Sequence, residues 1–145
     1  MNACKLAARY APLAGRTLLA LLFFQSGWHK IADFAGTARV MALKGIPLPD
    51  VLLAVTIVLV VGGGLMILLG WHARWAAAVL FAWMIPVTLL YHDFWTAQPA
   101  QVFNQTTHFM KNVAIMGALL HLFGMGPGPL SLRDEACVNG AGATA

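Results

Sequence analysis

Residues 51–70 form an unbroken run of twenty positions without one ionisable side chain. As an α-helix rising 1.5 Å per residue, the run measures about 30 Å, the hydrocarbon thickness of a bilayer. The rest of the chain agrees with a membrane setting. Of 145 residues 60% are hydrophobic and 10% charged, whereas soluble domains carry nearer a quarter charged. That leaves too few ionic residues to clothe a soluble surface. The apolar excess also excludes an intrinsically disordered chain. Only Cys4 and Cys137 are present, which excludes a disulfide scaffold; both lie outside the apolar stretches and are expected as free thiols. The net charge of +4 comes from scattered residues with no Lys/Arg run, so no nucleic-acid partner is expected.

Three further stretches, at about 13–29, 75–91 and 109–123, complete a set of four predicted spans. Pro12 is placed to open the first, since proline is tolerated in a first helical turn. Arg16 and Lys30 are expected to snorkel to the two headgroup layers. Lys5, Arg9 and the apolar residues behind them resemble a secretory signal, but residues 25–30 carry no small-residue cleavage pattern, so a retained first span is the reading. Asp50 is expected to N-cap the second span. Gly62, Gly63 and Gly64 inside that span read as a seam for close helix approach. Pro86 is expected to bend the third span, which neighbouring helices accommodate.

Between the first two spans, apolar residues from Ile31 to Ala42 recur at helical spacing. Residues 31–44 are therefore read as a short amphipathic helix lying at the interface, ended by the breaker-rich segment 45–49. Residues 92–108 read as a polar connection, and the chain from Gly124 on as a flexible tail, cytoplasmic over 133–145. The expected fold is thus an all-α integral membrane protein, a four-transmembrane-helix bundle occupying residues 1–132. Four crossings place both termini on one side, and the Lys/Arg bias of the short flanks favours the cytoplasm.

This topology gathers polar residues at the opposite, outer level. His29 and Lys30 end the first span there, His92 ends the third and Lys111 opens the fourth. Gln25 lies four positions before His29 on the same face and is expected to point into the bundle. Ionisable groups within spans generally face partners or a cavity. Gln25, His29, Lys30, His92 and Lys111 are therefore a candidate ligand-binding pocket, with Trp28 and Trp83 as apolar walls. Each residue alone can also be read as an interfacial anchor. His29, His92 and His108 could supply three imidazoles to a metal, but no metal-ligand spacing accompanies them and no metal site is assigned. No nucleophile elbow, kinase motif or carboxylate pair is present, so catalytic residues are not identified.

Several short motifs, in this order, resemble the DoxX family of small bacterial membrane proteins. They are Arg16; Phe24-Gln25-Ser26-Gly27-Trp28-His29-Lys30; Gly45-Ile46-Pro47-Leu48-Pro49; Gly62-Gly63 through Leu68-Leu69-Gly70; Arg74; His92; Lys111; and Gly126-Pro127-Gly128-Pro129-Leu130-Ser131-Leu132. Many members of that family carry an acidic residue ahead of the paired glycines, where this chain has Leu59-Val60-Val61. The resemblance implies a four-helix protein of the bacterial inner membrane, associated with redox systems. The function expected is an accessory or quinone-interacting subunit of a membrane redox system (if part of an enzyme, of a quinone-linked oxidoreductase), with quinone as the candidate ligand. Its partners would be the lipid bilayer and redox proteins or further copies of itself. The alternatives are a non-catalytic scaffold for partner proteins, and a small-solute transporter built from an oligomer.

Overall fold

The computed structural model describes residues 2–132 as five helices: α1 (Ala3–Ala32), α2 (Phe34–Leu43), α3 (Pro49–Leu69), α4 (Ala73–Tyr91) and α5 (Pro99–Met125). Residues 133–145, the expected cytoplasmic tail, lie outside the described residues. Three of the helices, α1, α3 and α4, are long and apolar enough to cross a membrane. The apolar half of α5 runs beside α4, so the main packing follows the order α1–α3–α4–α5, with α2 against α3.

Several element boundaries differ from those the sequence suggests. Helix α1 starts at Ala3, and Pro12 lies inside it. The early turns are rich in Ala, Leu, Lys and Arg, all strong helix formers, which carry the helix past the proline. Helix α3 is not capped by Asp50. Leu48 occupies the N-cap with φ 47°, Pro49 takes the first turn, and Asp50 follows inside it. A residue before proline is driven out of the right-handed helical region, so the boundary falls at Leu48, two residues earlier than expected. The connection read as 92–108 is half helix: α5 begins at Pro99, with proline again in the first turn. The segment after Gly126 does not trail away. The Leu132 N–H donates to the Leu69 carbonyl at 3.0 Å, so residues 126–132 return beneath α3.

Asp33 sets the corner between α1 and α2. Its N–H closes α1 on the His29 carbonyl at 3.0 Å, and its carboxylate accepts from the Gly36 N–H at 3.1 Å to open α2. The buried face of α2, Ala38 and Met41, packs on Leu53 of α3 beside Ile46, Ile57 and Tyr91. The larger core joins α1, α3, α4 and α5 through Phe23, Val60, Ile67, Leu80, Met84, Leu119 and their neighbours.

The glycines divide their work. A Cβ on Gly27 of α1 would stand 2.5 Å from Val61 Cγ2 of α3, and one on Gly64 would stand 3.2 Å from Phe23 Cβ. Gly63 faces the other way, where a Cβ would meet Leu80 of α4 at 2.9 Å. Gly62 faces open space. Lipid tails are as apolar as the helices themselves, so close contact between backbones supplies the attraction that burial cannot. Gly70 ends α3 in the left-handed region at φ 68°, with the Gly70 N–H on the Ile67 carbonyl and the Trp71 N–H on the Met66 carbonyl. This is the paired closure that glycine permits.

Gly27→Leu is expected to destabilise the bundle by about 1–3 kcal/mol through overpacking. Gly62→Ala is expected to be neutral or stabilising by up to about 1 kcal/mol through helix propensity. Thermal unfolding of both variants in detergent checks the contrast; equal effects would contradict the packing described.

Candidate functional site

The C-terminal end of α4 and the N-terminal half of α5 bring together four polar side chains. The His92 Nδ1–H donates to Gln105 Oε1 at 3.1 Å. The His92 and His108 rings lie nearly parallel, 14° apart with centroids 5.3 Å distant. The Lys111 ammonium donates to His108 Nδ1 at 3.1 Å. For neutral rings these contacts fix which nitrogen carries the proton. His92 carries its proton on Nδ1 and presents Nε2 as an acceptor. His108 accepts at Nδ1 and presents Nε2–H as a donor. The stacked pair therefore offers one acceptor and one donor, with a cation behind the donor. His108 stands ahead of the apolar half of α5, and the Lys111 charge, followed by desolvation and His92, holds its pKa below the ordinary histidine value.

An aromatic group adjoins this cluster. Phe94 meets Trp95 and Phe109 edge to face at 5.1 and 5.2 Å, and Trp95 meets Phe109 at 6.1 Å. Trp95 remains 56% exposed. One turn deeper, Asn112 Nδ2 donates to Thr88 Oγ1 at 3.2 Å in a buried pair that fixes the register of α4 and α5. Beside the rim, Lys44 donates to the Leu90 carbonyl at 2.6 Å and lies 5.3 Å from the Tyr91 ring centroid. In the loop, Thr96 donates to Asp93 Oδ2 at 2.5 Å; that bond, the largest of several causes, holds the Asp93 carboxyl below its usual range.

The residues expected on α1 stand apart from this rim. Lys30 folds back along its own helix, donating to Ser26 Oγ at 2.7 Å and to the Ser26 carbonyl at 3.3 Å. His29 and Gln25 are exposed, and Gln25 does not point into the bundle. The buried face of α1 is Arg16, Ala20, Phe23 and Gly27, and Gln25 falls outside that stripe. Trp28 is 68% exposed, as suits a lipid-facing ring at a span end. Trp83 is partly buried against the main core. Two surface grooves lie elsewhere, one lined by Ala54, Val55, Val58 and Leu59, the other by Lys5, Ala8, Arg9, Pro129 and Leu130. Among the described residues no group of three His, Cys, Asp or Glu is arranged to hold a metal ion.

Sequence reasoning missed Gln105, Phe94, Trp95 and Phe109 as members of the rim. A signal existed. Gln105, His108, Lys111 and Asn112 recur at spacings of three and four, one face of a helix. That pattern becomes visible once α5 is started at Pro99.

The architecture is that of a multi-pass helical membrane protein. The DoxX family model matches residues 11–93, and the chain belongs to that family. Among similar proteins, the inner membrane protein YphA of Escherichia coli K12 is 32% identical over 120 residues, covering 83% of this chain and 86% of its own length. The inner membrane protein YqjF of the same organism is 36% identical over 120 residues, covering 83% and 87%. No solved structure matches.

Removing the ammonium should release His108. In Lys111→Met the His108 titration midpoint is expected to move up towards the ordinary histidine value, because the depressing charge is gone. NMR of ring-labelled histidine measures it; an unchanged or lower midpoint would contradict the geometry.

Proposed function

We propose that this protein is an inner-membrane accessory subunit of a redox system and that it holds the head group of a quinone at the α4–α5 rim. The observation that carries the reading is the stacked His92–His108 pair, backed by Lys111 and flanked by an exposed aromatic group. A quinone carbonyl accepts from His108 Nε2–H, and a quinol hydroxyl donates to His92 Nε2. The Lys111 charge favours an oxygen that becomes anionic on reduction. Phe94, Trp95 and Phe109 supply flat apolar surface for the ring. Family membership and the inner-membrane names of both relatives support the setting.

A quinone analogue titrated against tryptophan fluorescence in detergent is expected to quench saturably. Trp95→Phe should remove most of that signal. Lys111→Met, which removes the positive charge behind the His108 donor, should weaken binding by about tenfold, a loss of about 1.4 kcal/mol. Quenching that never saturates, or is indifferent to both variants, defeats the reading.

A second reading has one observation of its own. His92 stacks on His108, so residues 99–107 rise about 13 Å past the end of α4. Phe103 on those turns is 84% exposed. A scaffold would use this projection to hold a partner protein. A photo-crosslinking residue placed at 103 would then give one discrete adduct in cells, and a lipid-only or diffuse product would count against it.

A further inference from the structure

The opposite rim of the bundle has a different chemistry. Its basic residues within 2–132 are Lys5, Arg9, Arg16, His72, Arg74 and His121, and the described carboxylates Asp33, Asp50 and Asp93 all lie at the other rim or beyond it. Lys5 and Arg9 sit one turn apart on α1. With Ala8 they form one wall of an open surface groove whose other wall is Pro129 and Leu130. Behind Leu130 lies Arg16, only 2% exposed. Its Nη2 donates to the Leu130 carbonyl, while Nε and Nη1 are buried with no hydrogen-bond partner among the described residues. The guanidinium thus fixes the groove wall and brings a third positive charge behind it. Arg16 does not snorkel, contrary to the expectation from sequence, because residues 128–131 close over it. A Cβ on Gly128 would stand 2.5 Å from Pro12 Cβ, so this segment lies directly against α1.

The depth of the groove follows from its neighbours. Arg16 contacts the Gly70 end of α3, and Trp71 and Trp75, 49% and 67% exposed, follow at that level. Exposed tryptophans at span ends mark the headgroup layer. The groove therefore combines apolar walls, cationic rims and headgroup depth. We propose that it binds an anionic phospholipid, with the phosphate between Lys5 and Arg9, the upper glycerol and acyl chain along Ala8, Pro129 and Leu130, and Arg16 as a positioning residue. The site is at the rim opposite the proposed quinone site, and neither depends on the other.

Native mass spectrometry of the full chain from mixed phosphatidylglycerol and phosphatidylcholine micelles tests this. Wild type is expected to retain one phosphatidylglycerol in preference to phosphatidylcholine. Lys5→Gln with Arg9→Gln, both at exposed positions, should reduce that preference about 30-fold, roughly fivefold per cation. Arg39→Gln at the other rim should leave it unchanged. Equal retention of the two lipids, or a preference that survives the double variant, overturns the proposal. Displacement of the lipid by millimolar inorganic phosphate overturns the lipid assignment in favour of a soluble oxyanion.

Discussion

Hydrocarbon offers no hydrogen-bond partner, so the backbone within it must satisfy itself. That constraint produces the long uninterrupted helices α1, α3 and α4. It does not arrange them, because an apolar helix face is as well solvated by lipid as by another helix. Arrangement here depends on close approach. Gly27 admits Val61, Gly64 admits Phe23 and Phe24, and Gly63 admits Leu80, so α3 is held between α1 and α4 by three missing side chains. Where α4 meets α5, the buried Asn112–Thr88 bond takes over. A buried amide pays for its desolvation only when its partner is in register.

The two ends of the bundle then diverge. At one end imidazoles, an ammonium and aromatic rings meet across α4 and α5, where the loop from His92 to Gln98 turns the chain. At the other end cations act on backbone. Arg16 holds the Leu130 carbonyl, and Arg74 donates to the carbonyls of Phe123 and Gly124 at 2.7 and 2.8 Å. The last carbonyls of a helix lack intrahelical partners, and a guanidinium beside them satisfies both the hydrogen bonds and the helix dipole.

The family resemblance acquires a physical explanation at that second end. Arg16, Gly70, Arg74 and residues 126–132 are scattered through the sequence motifs, yet they meet at one place. A Cβ on Gly70 would collide with Arg16 and Ser131, and one on Gly126 would press on Arg74 at 2.9 Å. These positions are constrained jointly because they build one clasp, which carries α5 back beneath α1 and α3. The other end is less legible. Lys30 and Lys111 lie towards the same end of the bundle, as the reversals between α1, α3, α4 and α5 require. Depth alone does not bring side chains together, and Lys30 turns to Ser26 along its own helix.

Hydropathy and charge placement determined that the chain is a helical membrane protein, where its apolar segments run, and that His92 and Lys111 share a rim. Those properties are local, since transfer to hydrocarbon is decided segment by segment. The tertiary structure decided which polar groups meet: His92 with Gln105 and His108, Arg16 with the clasp, and Gln25 with nothing in the bundle. Such choices depend on the rotation of each helix about its axis. That rotation is set by a few glycine contacts and one buried amide, which no single segment contains.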